Sequence, residues 1–150
     1  MNYDLVVKNG TIIDGSGGAR YRADVGILDG KIASIGRIDS KKAKTIDAEG
    51  HVVTPGFVDG HTHMDAQIFW DPIGSCSCYH GVTSVVMGNC GFTLAPCREE
   101  EADMVFRSLE RAEDLSRDAM LAGIDWSWET FPEYLDAIDK LPKGINYAGY

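Results

Sequence analysis

The sequence predicts an α/β protein in two parts, a β-meander over residues 3–54 followed by parallel β/α structure over residues 55–150. Three observations predict it. Short β-branched runs near the N-terminus are separated by the turn pairs Asn9-Gly10, Asp14-Gly15 and Asp29-Gly30. Two later apolar runs, Phe57 to Gly60 and Val82 to Met87, are joined by a connection too long for a hairpin. Helical spacing then follows. The order strand, connection, strand, helices, strand is that of a parallel α/β protein.

Leu5-Val6-Val7 reads as the first strand, with Asn9-Gly10 as a hairpin turn into Thr11-Ile12-Ile13. Ser16-Gly17-Gly18 is a loop. Ala23 to Leu28 makes a third strand, and Asp29-Gly30 turns it into Lys31 to Ile35. Alternation in that last run predicts one buried face and one wet face. Thr45 to Ala48 and His51 to Val53 are short strands around Glu49-Gly50. No titratable side chains gather in this segment, so its role is read as structural.

Phe57 to Gly60 is apolar or small apart from Asp59, which suits a parallel strand covered on both faces. Met64 to Gly81 reads as irregular. Val82 to Met87 is rich in β-branched residues and stops at Gly88-Asn89-Cys90-Gly91. Glu99 to Ala122 reads as one helix, with Ala102, Val105, Leu109 and Ala112 at helical spacing and Gly123 as its stop. Thr130-Phe131-Pro132-Glu133 is a capping-box pattern with proline in the first turn. The helix it opens presents Tyr134, Leu135 and Ile138 on one face and ends by Pro142. Ile145 to Tyr150 begins a third strand. Residues 55–150 amount to about two βα units and a further strand, whereas a closed eight-stranded barrel needs about 250 residues. Either a small open sheet or the front of a longer chain is expected, and the stop within a strand favours the second.

Composition bounds the function. The chain has 150 residues, 44% hydrophobic and 25% charged, which is ordinary for a soluble globular protein. A net charge of −9 argues against a nucleic-acid or anionic-membrane partner. No apolar run is long enough to cross a bilayer, and the opening MNYDLVVKNG carries no basic leader or signal core. Cys76, Cys78, Cys90 and Cys97 lie in one central stretch, not spread as in a disulfide-stapled secreted domain. A reducing compartment, the cytoplasm, is expected.

Chemistry concentrates at the ends of the two apolar runs. His61-Thr62-His63 closes the first. Residues two apart on a strand share a side, so both imidazoles are expected to converge. Converging neutral imidazoles suit a first-row metal, zinc above all. A His-x-His at a loop end also occurs by chance. Cys90 sits at the end of the second run, and adjacent parallel strands bring their carboxyl ends together. A thiolate and two imidazoles there fit one small zinc site. Taken alone, Cys90 is better read as a buried inert thiol.

PGFVDGHTH after an N-terminal β-meander resembles the entry sequence of the amidohydrolase superfamily. Within it, HTHMDAQ, WDP, HGVTSVVMGNCGFTLAPC and WETFPEYLD resemble the N-acyl-D-amino-acid deacylases, or D-aminoacylases. The resemblance implies the start of a metal-dependent hydrolase (β/α)8 TIM-type barrel over residues 55–150, preceded by a small β-sandwich segment over residues 1–54. It implies that His61 and His63 bind one metal and that Cys90 is a ligand able to bridge two. It implies Zn2+, one ion held tightly with room for a second, weaker one. The remaining ligands and the acid/base are expected beyond Tyr150, so these 150 residues alone are expected to be inactive. The implied reaction is hydrolysis of an N-acyl-D-amino acid, a small-molecule substrate. Two alternatives stand beside it: a cyclic-amide hydrolase of the dihydropyrimidinase type, which lacks GNCG and carries a lysine ligand on a later strand, and a non-catalytic metal-binding scaffold.

Other residues are weighed individually. Asp65 continues the histidine spacing and is a candidate for touching substrate or a ligand; a helix N-cap is the competing role. Asp59 shares the strand side with His61 and is a candidate for steadying it. Cys76 and Cys78 precede the second strand, at its far end from the site, and are not expected to bind metal. His80 and Cys97 are read as structural. Trp126 and Trp128 are candidates for an acyl pocket, though loop or core packing is the commoner role.

Overall fold

The computed structural model describes residues 2–150. The chain divides into two units, Met1–Pro55 and Gly56–Tyr150.

The first unit is a five-stranded sheet of β1 (Leu5–Ile12), β2 (Tyr21–Leu28), β3 (Lys31–Gly36), β4 (Lys44–Asp47) and β5 (Val52–Val53). Its order is β3-β2-β1-β4, with β5 also on β1. The β1–β2 and β2–β3 pairs are antiparallel, while β4 and β5 run parallel to β1. Asp29 and Gly30 form the expected two-residue turn, both left-handed with φ of 51° and 71°.

Asn9-Gly10 is a correction. β1 runs straight through it, and the pairing with β2 slips between Val7 and Gly10. Asn9 takes φ 62° as a bulge instead of a turn. The bulge is held by Asp24 Oδ1, which accepts from Asn9 N at 2.9 Å, and by Asp47 Oδ1, which accepts from Asn9 Nδ2 at 2.9 Å. A left-handed Asn before a glycine serves turns and bulges alike, and the long-range partners decide. Val6, Ile12, Val25, Ile38 and Ala48 are buried. Ile32 and Ile35 remain exposed, against the expected buried face, because β3 is the edge strand of a single layer.

The second unit has a parallel sheet of β6 (Phe57–Thr62), β7 (Val82–Met87) and β8 (Asn146–Gly149), in the order β6-β7-β8. The sheet is open. β6 is therefore an edge strand, and Phe57 and Val58 are exposed, where a strand covered on both faces was expected. The connection after β6 holds two short helical turns, α1 (Met64–Gln67) and α2 (Ser75–Cys78).

The single helix expected over Glu99 to Ala122 is broken. A 3-10 turn at Glu99–Glu101 leads into α3 (Ala102–Glu113), and α4 (Arg117–Gly123) follows. Asp114 is left-handed at φ 54°, and the Ser116 side chain caps α4 by accepting from Ala119 N at 3.3 Å. The buried stripe of α3 is Ala102, Phe106 and Leu109, and Ala112 is exposed. α5 (Phe131–Asp139) starts on the expected capping box. Thr130 Oγ1 accepts from Glu133 N at 3.5 Å, and Glu133 Oε2 accepts from Thr130 N at 2.9 Å. Tyr134 and Ile138 are buried, but Leu135 points outward. The core joins Val85 and Met87 of β7 to Phe106, Leu109, Met120 and Trp128. No helix among the described residues is long and apolar enough to cross a membrane.

Candidate metal centre

β6 delivers His61 and His63 to its carboxyl end by a route that alternation does not describe. Asp59 lies opposite Val85 and Thr62 opposite Met87, so β6 carries one extra residue there. His63 already lies past the strand, as the residue that opens α1. The rings nevertheless converge, with centroids 5.5 Å apart. Three hydrogen bonds hold the bulge. Asp59 Oδ1 accepts from His61 N at 3.2 Å, Thr62 Oγ1 donates to Val86 O at 3.1 Å, and Asn89 Nδ2 donates to Gly60 O at 3.1 Å.

Cys90 comes from the turn after β7. Gly91 N donates to Gly88 O at 2.9 Å, closing a four-residue turn around Asn89 and Cys90. Gly88 and Gly91 sit at φ 82° and 86°, where a side chain is strained. The turn leaves Cys90 Sγ 3.4 Å from His63 Nδ1. One donor atom from each of His61, His63 and Cys90 lies within 4.8 Å of the others, a grouping compact enough for one metal ion.

The opposite edge of the His63 ring is also occupied. Nε2 lies 3.1 Å from Glu113 Oε2, with both side chains mostly buried. Sequence reasoning missed Glu113. A signal was present: Ala102, Phe106, Leu109 and Glu113 step by four, three and four residues, which places Glu113 on the inward stripe of α3. A carboxylate at the last position of a helix also opposes the helix dipole.

The two other candidates land differently. Asp59 holds the His61 backbone and not its ring. Asp65 is 2% exposed, and neither carboxylate oxygen has a partner among the described residues. It caps nothing, and burial pushes its carboxyl up to about 7. Its own backbone carbonyl accepts from Tyr134 Oη at 3.0 Å, which fixes α1 against α5. Cys76 is exposed on α2, and its carbonyl contacts His80 Nδ1 at 2.7 Å, a local turn contact. Cys97 Sγ contacts Arg98 O at 3.3 Å, and burial raises its thiol pKa. Trp126 and Trp128 stack at 4.5 Å, and Trp128 is 2% exposed with Nε1 donating to Leu94 O at 2.9 Å, so both pack the core.

Residues 44–147 match the family model described as "Amidohydrolase family". An uncharacterized protein of Mycobacterium bovis is 37% identical over 153 residues, covering 99% of this chain and 24% of its own length. A D-aminoacylase of Alcaligenes xylosoxydans xylosoxydans is 36% identical over 147 residues, covering 97% of this chain and 28% of its own. Among solved structures, the N-acyl-D-glutamate deacylase of Bordetella bronchiseptica, complexed with zinc and a phosphonate mimic of the tetrahedral intermediate, aligns with a TM-score of 0.76 at 32% identity. That alignment covers 99% of this chain and 29% of the deacylase. The chain thus spans about a quarter of the length of the curated relatives it matches.

Proposed function

The chain belongs to the amidohydrolase family, and from that premise we propose that it supplies part of the zinc site of an N-acyl-D-amino-acid deacylase. His61, His63 and Cys90 are the ligands in this reading. The observation that carries it is the 3.4 Å approach of Cys90 Sγ to His63 Nδ1. A tetrahedral zinc, with sulfur at about 2.3 Å and nitrogen at about 2.0–2.1 Å, sets such a donor pair about 3.5 Å apart. Two imidazoles and a thiolate form a borderline-soft donor set of the kind zinc prefers.

A bound zinc would lower the pKa of its water toward about 7 and polarise the scissile carbonyl. The chain's own residues hold the ligands in place. Asp59 and Asn89 hold the Gly60–His61 peptide by its N–H and its carbonyl, and Gly88 and Gly91 aim Cys90. None of these residues is assigned as the acid/base. In the family that the sequence resembles, an aspartate on a later strand fills that role. The substrate class rests on relatives named D-aminoacylase and N-acyl-D-glutamate deacylase, which align over nearly all of this chain.

The test is zinc analysis of the purified chain. Wild type should retain about one equivalent, Cys90→Ala should lose it, and Cys76→Ala and Cys78→Ala should keep it. Full zinc in Cys90→Ala, with loss in either other variant, would overturn the assignment. The substrate class is tested on the longest natural protein that carries this sequence. It should release free D-amino acid from N-acyl-D-amino acids, and equal rates on the L series count against the reading.

A further inference from the structure

We propose that Glu113 is a positioning residue that holds the His63 ring as its Nε2–H tautomer and so turns the Nδ1 lone pair toward Cys90. The proposal rests on the zinc reading above for its consequence, but on hydrogen-bond geometry for its content. Glu113 Oε2 lies 3.1 Å from His63 Nε2, and Cys90 Sγ lies 3.4 Å from Nδ1. A carboxylate only accepts, so the nitrogen facing Glu113 carries the hydrogen. The nitrogen facing Cys90 is then the one left with a lone pair in the neutral ring. A metal-ligating histidine commonly donates its other N–H to a carboxylate, which fixes tautomer and orientation.

The fold explains how a carboxylate comes to be there. α3 carries Ala102, Phe106 and Leu109 into the core, and Glu113 is the next residue on that stripe. The helix stops immediately afterwards, because Asp114 is left-handed. Glu113 therefore stands at the last position of α3 with its side chain only 22% exposed. A carboxylate beside the negative end of a helix dipole is unfavourable without a donor or cation against it. His63 supplies that donor. Glu113 does not join the three-donor grouping, so it acts through His63 and not as a fourth member.

The experiment uses the whole chain, labelled with 15N-histidine, and reads tautomer and zinc affinity separately. The four histidines are assigned with a His63→Gln control. In the metal-free wild type, the long-range 1H–15N pattern of His63 should be that of Nε2–H. Glu113→Ala should lose that bias and weaken zinc binding by about 10- to 100-fold in chelator competition. Glu113→Gln, whose amide oxygen still accepts, should fall between the two, and it decides the matter if the alanine variant fails to fold. Asp118→Asn, a charge loss at an exposed site, should change neither readout. The proposal is overturned if Glu113→Ala and Glu113→Gln keep both the wild-type tautomer and the wild-type affinity, or if Asp118→Asn weakens zinc equally. If wild type takes up no zinc, the zinc reading falls by itself, and the tautomer comparison still decides the role of Glu113.

Discussion

Asn89 donates its side-chain amide to the Gly60 carbonyl at 3.1 Å, and that bond joins the end of β6 to the turn that carries Cys90. The bond from Thr62 Oγ1 to Val86 O and the pairing of Thr62 with Met87 link the same two strand ends just beside it. Asn89→Ala should cost about 0.5–1.5 kcal/mol in urea unfolding. It should also weaken zinc binding, because the His61 backbone and Cys90 are no longer held together. Unchanged zinc affinity in a destabilised variant would mean that the bond serves stability alone.

Cysteine accessibility gives a second check. Cys90 is half-buried and Cys76 exposed, and all four cysteines are free of disulfides. A thiolate bound to metal is a poor nucleophile toward iodoacetamide, since its lone pairs are engaged. Zinc should therefore slow alkylation of Cys90 and leave Cys76 unaffected, as read by peptide mass spectrometry. Equal protection of both would point to a global effect instead of a site at Cys90.

Asp65 predicts a pH dependence of stability. Burial raises its folded-state pKa from 3.8 to about 7, so the folded chain binds the proton more tightly than the unfolded chain does. The stabilisation is complete below the unfolded value and is lost as pH rises through the folded one. Between pH 4 and pH 7 the loss is of order 4 kcal/mol. Wild type should gain stability against Asp65→Asn as pH falls from 7.5 to about 5. Every other group is common to the two proteins, so the difference between the two urea midpoints isolates Asp65. Parallel profiles would show that the carboxyl finds a partner in solution.

Trp128 tests the packing of the second unit. It stacks on Trp126 and Phe69 and donates Nε1 to Leu94 O. Trp128→Ala should cost about 3–5 kcal/mol, and Trp128→Phe about 1–3 kcal/mol through the unpaired Leu94 carbonyl. An acyl-pocket role predicts the reverse: small stability changes with altered substrate preference.

Much of the candidate site's grouping was legible because it is written in short local patterns. His61, His63 and Cys90 each stand at the end of a β-rich run, and parallel pairing of β6 with β7 brings those ends together. The capping box at Thr130 and the Asp29-Gly30 turn are equally local. What was not legible depends on partners far along the chain. Asn9-Gly10 becomes a bulge because Asp24 and Asp47 claim the Asn9 donors. Val105 and Ala112 share the helical period with the true stripe, and only the tertiary contacts select Phe106 over its neighbour. The break at Asp114 follows from the same cause, since nothing around it is a strong helix breaker. With one helix drawn from Glu99 to Ala122, Glu113 falls mid-helix, and its step on the Ala102–Phe106–Leu109 stripe signals an inward side chain without naming His63 as its partner.

That break has a mechanical consequence. An α-helix turns about 100° and advances about 1.5 Å for each residue. The core contacts of Phe106 and Leu109 clamp the rotational phase of α3, and the left-handed Asp114 sets where the rotation stops. The distance from Leu109 to Glu113 therefore works as an angular setting. Adding or deleting a single residue in that interval would swing the carboxylate about a quarter of a turn off the His63 ring while leaving every core contact of α3 upstream in place. Substitutions on the outward face of this helix are tolerable; changes in its length between Leu109 and Asp114 are not.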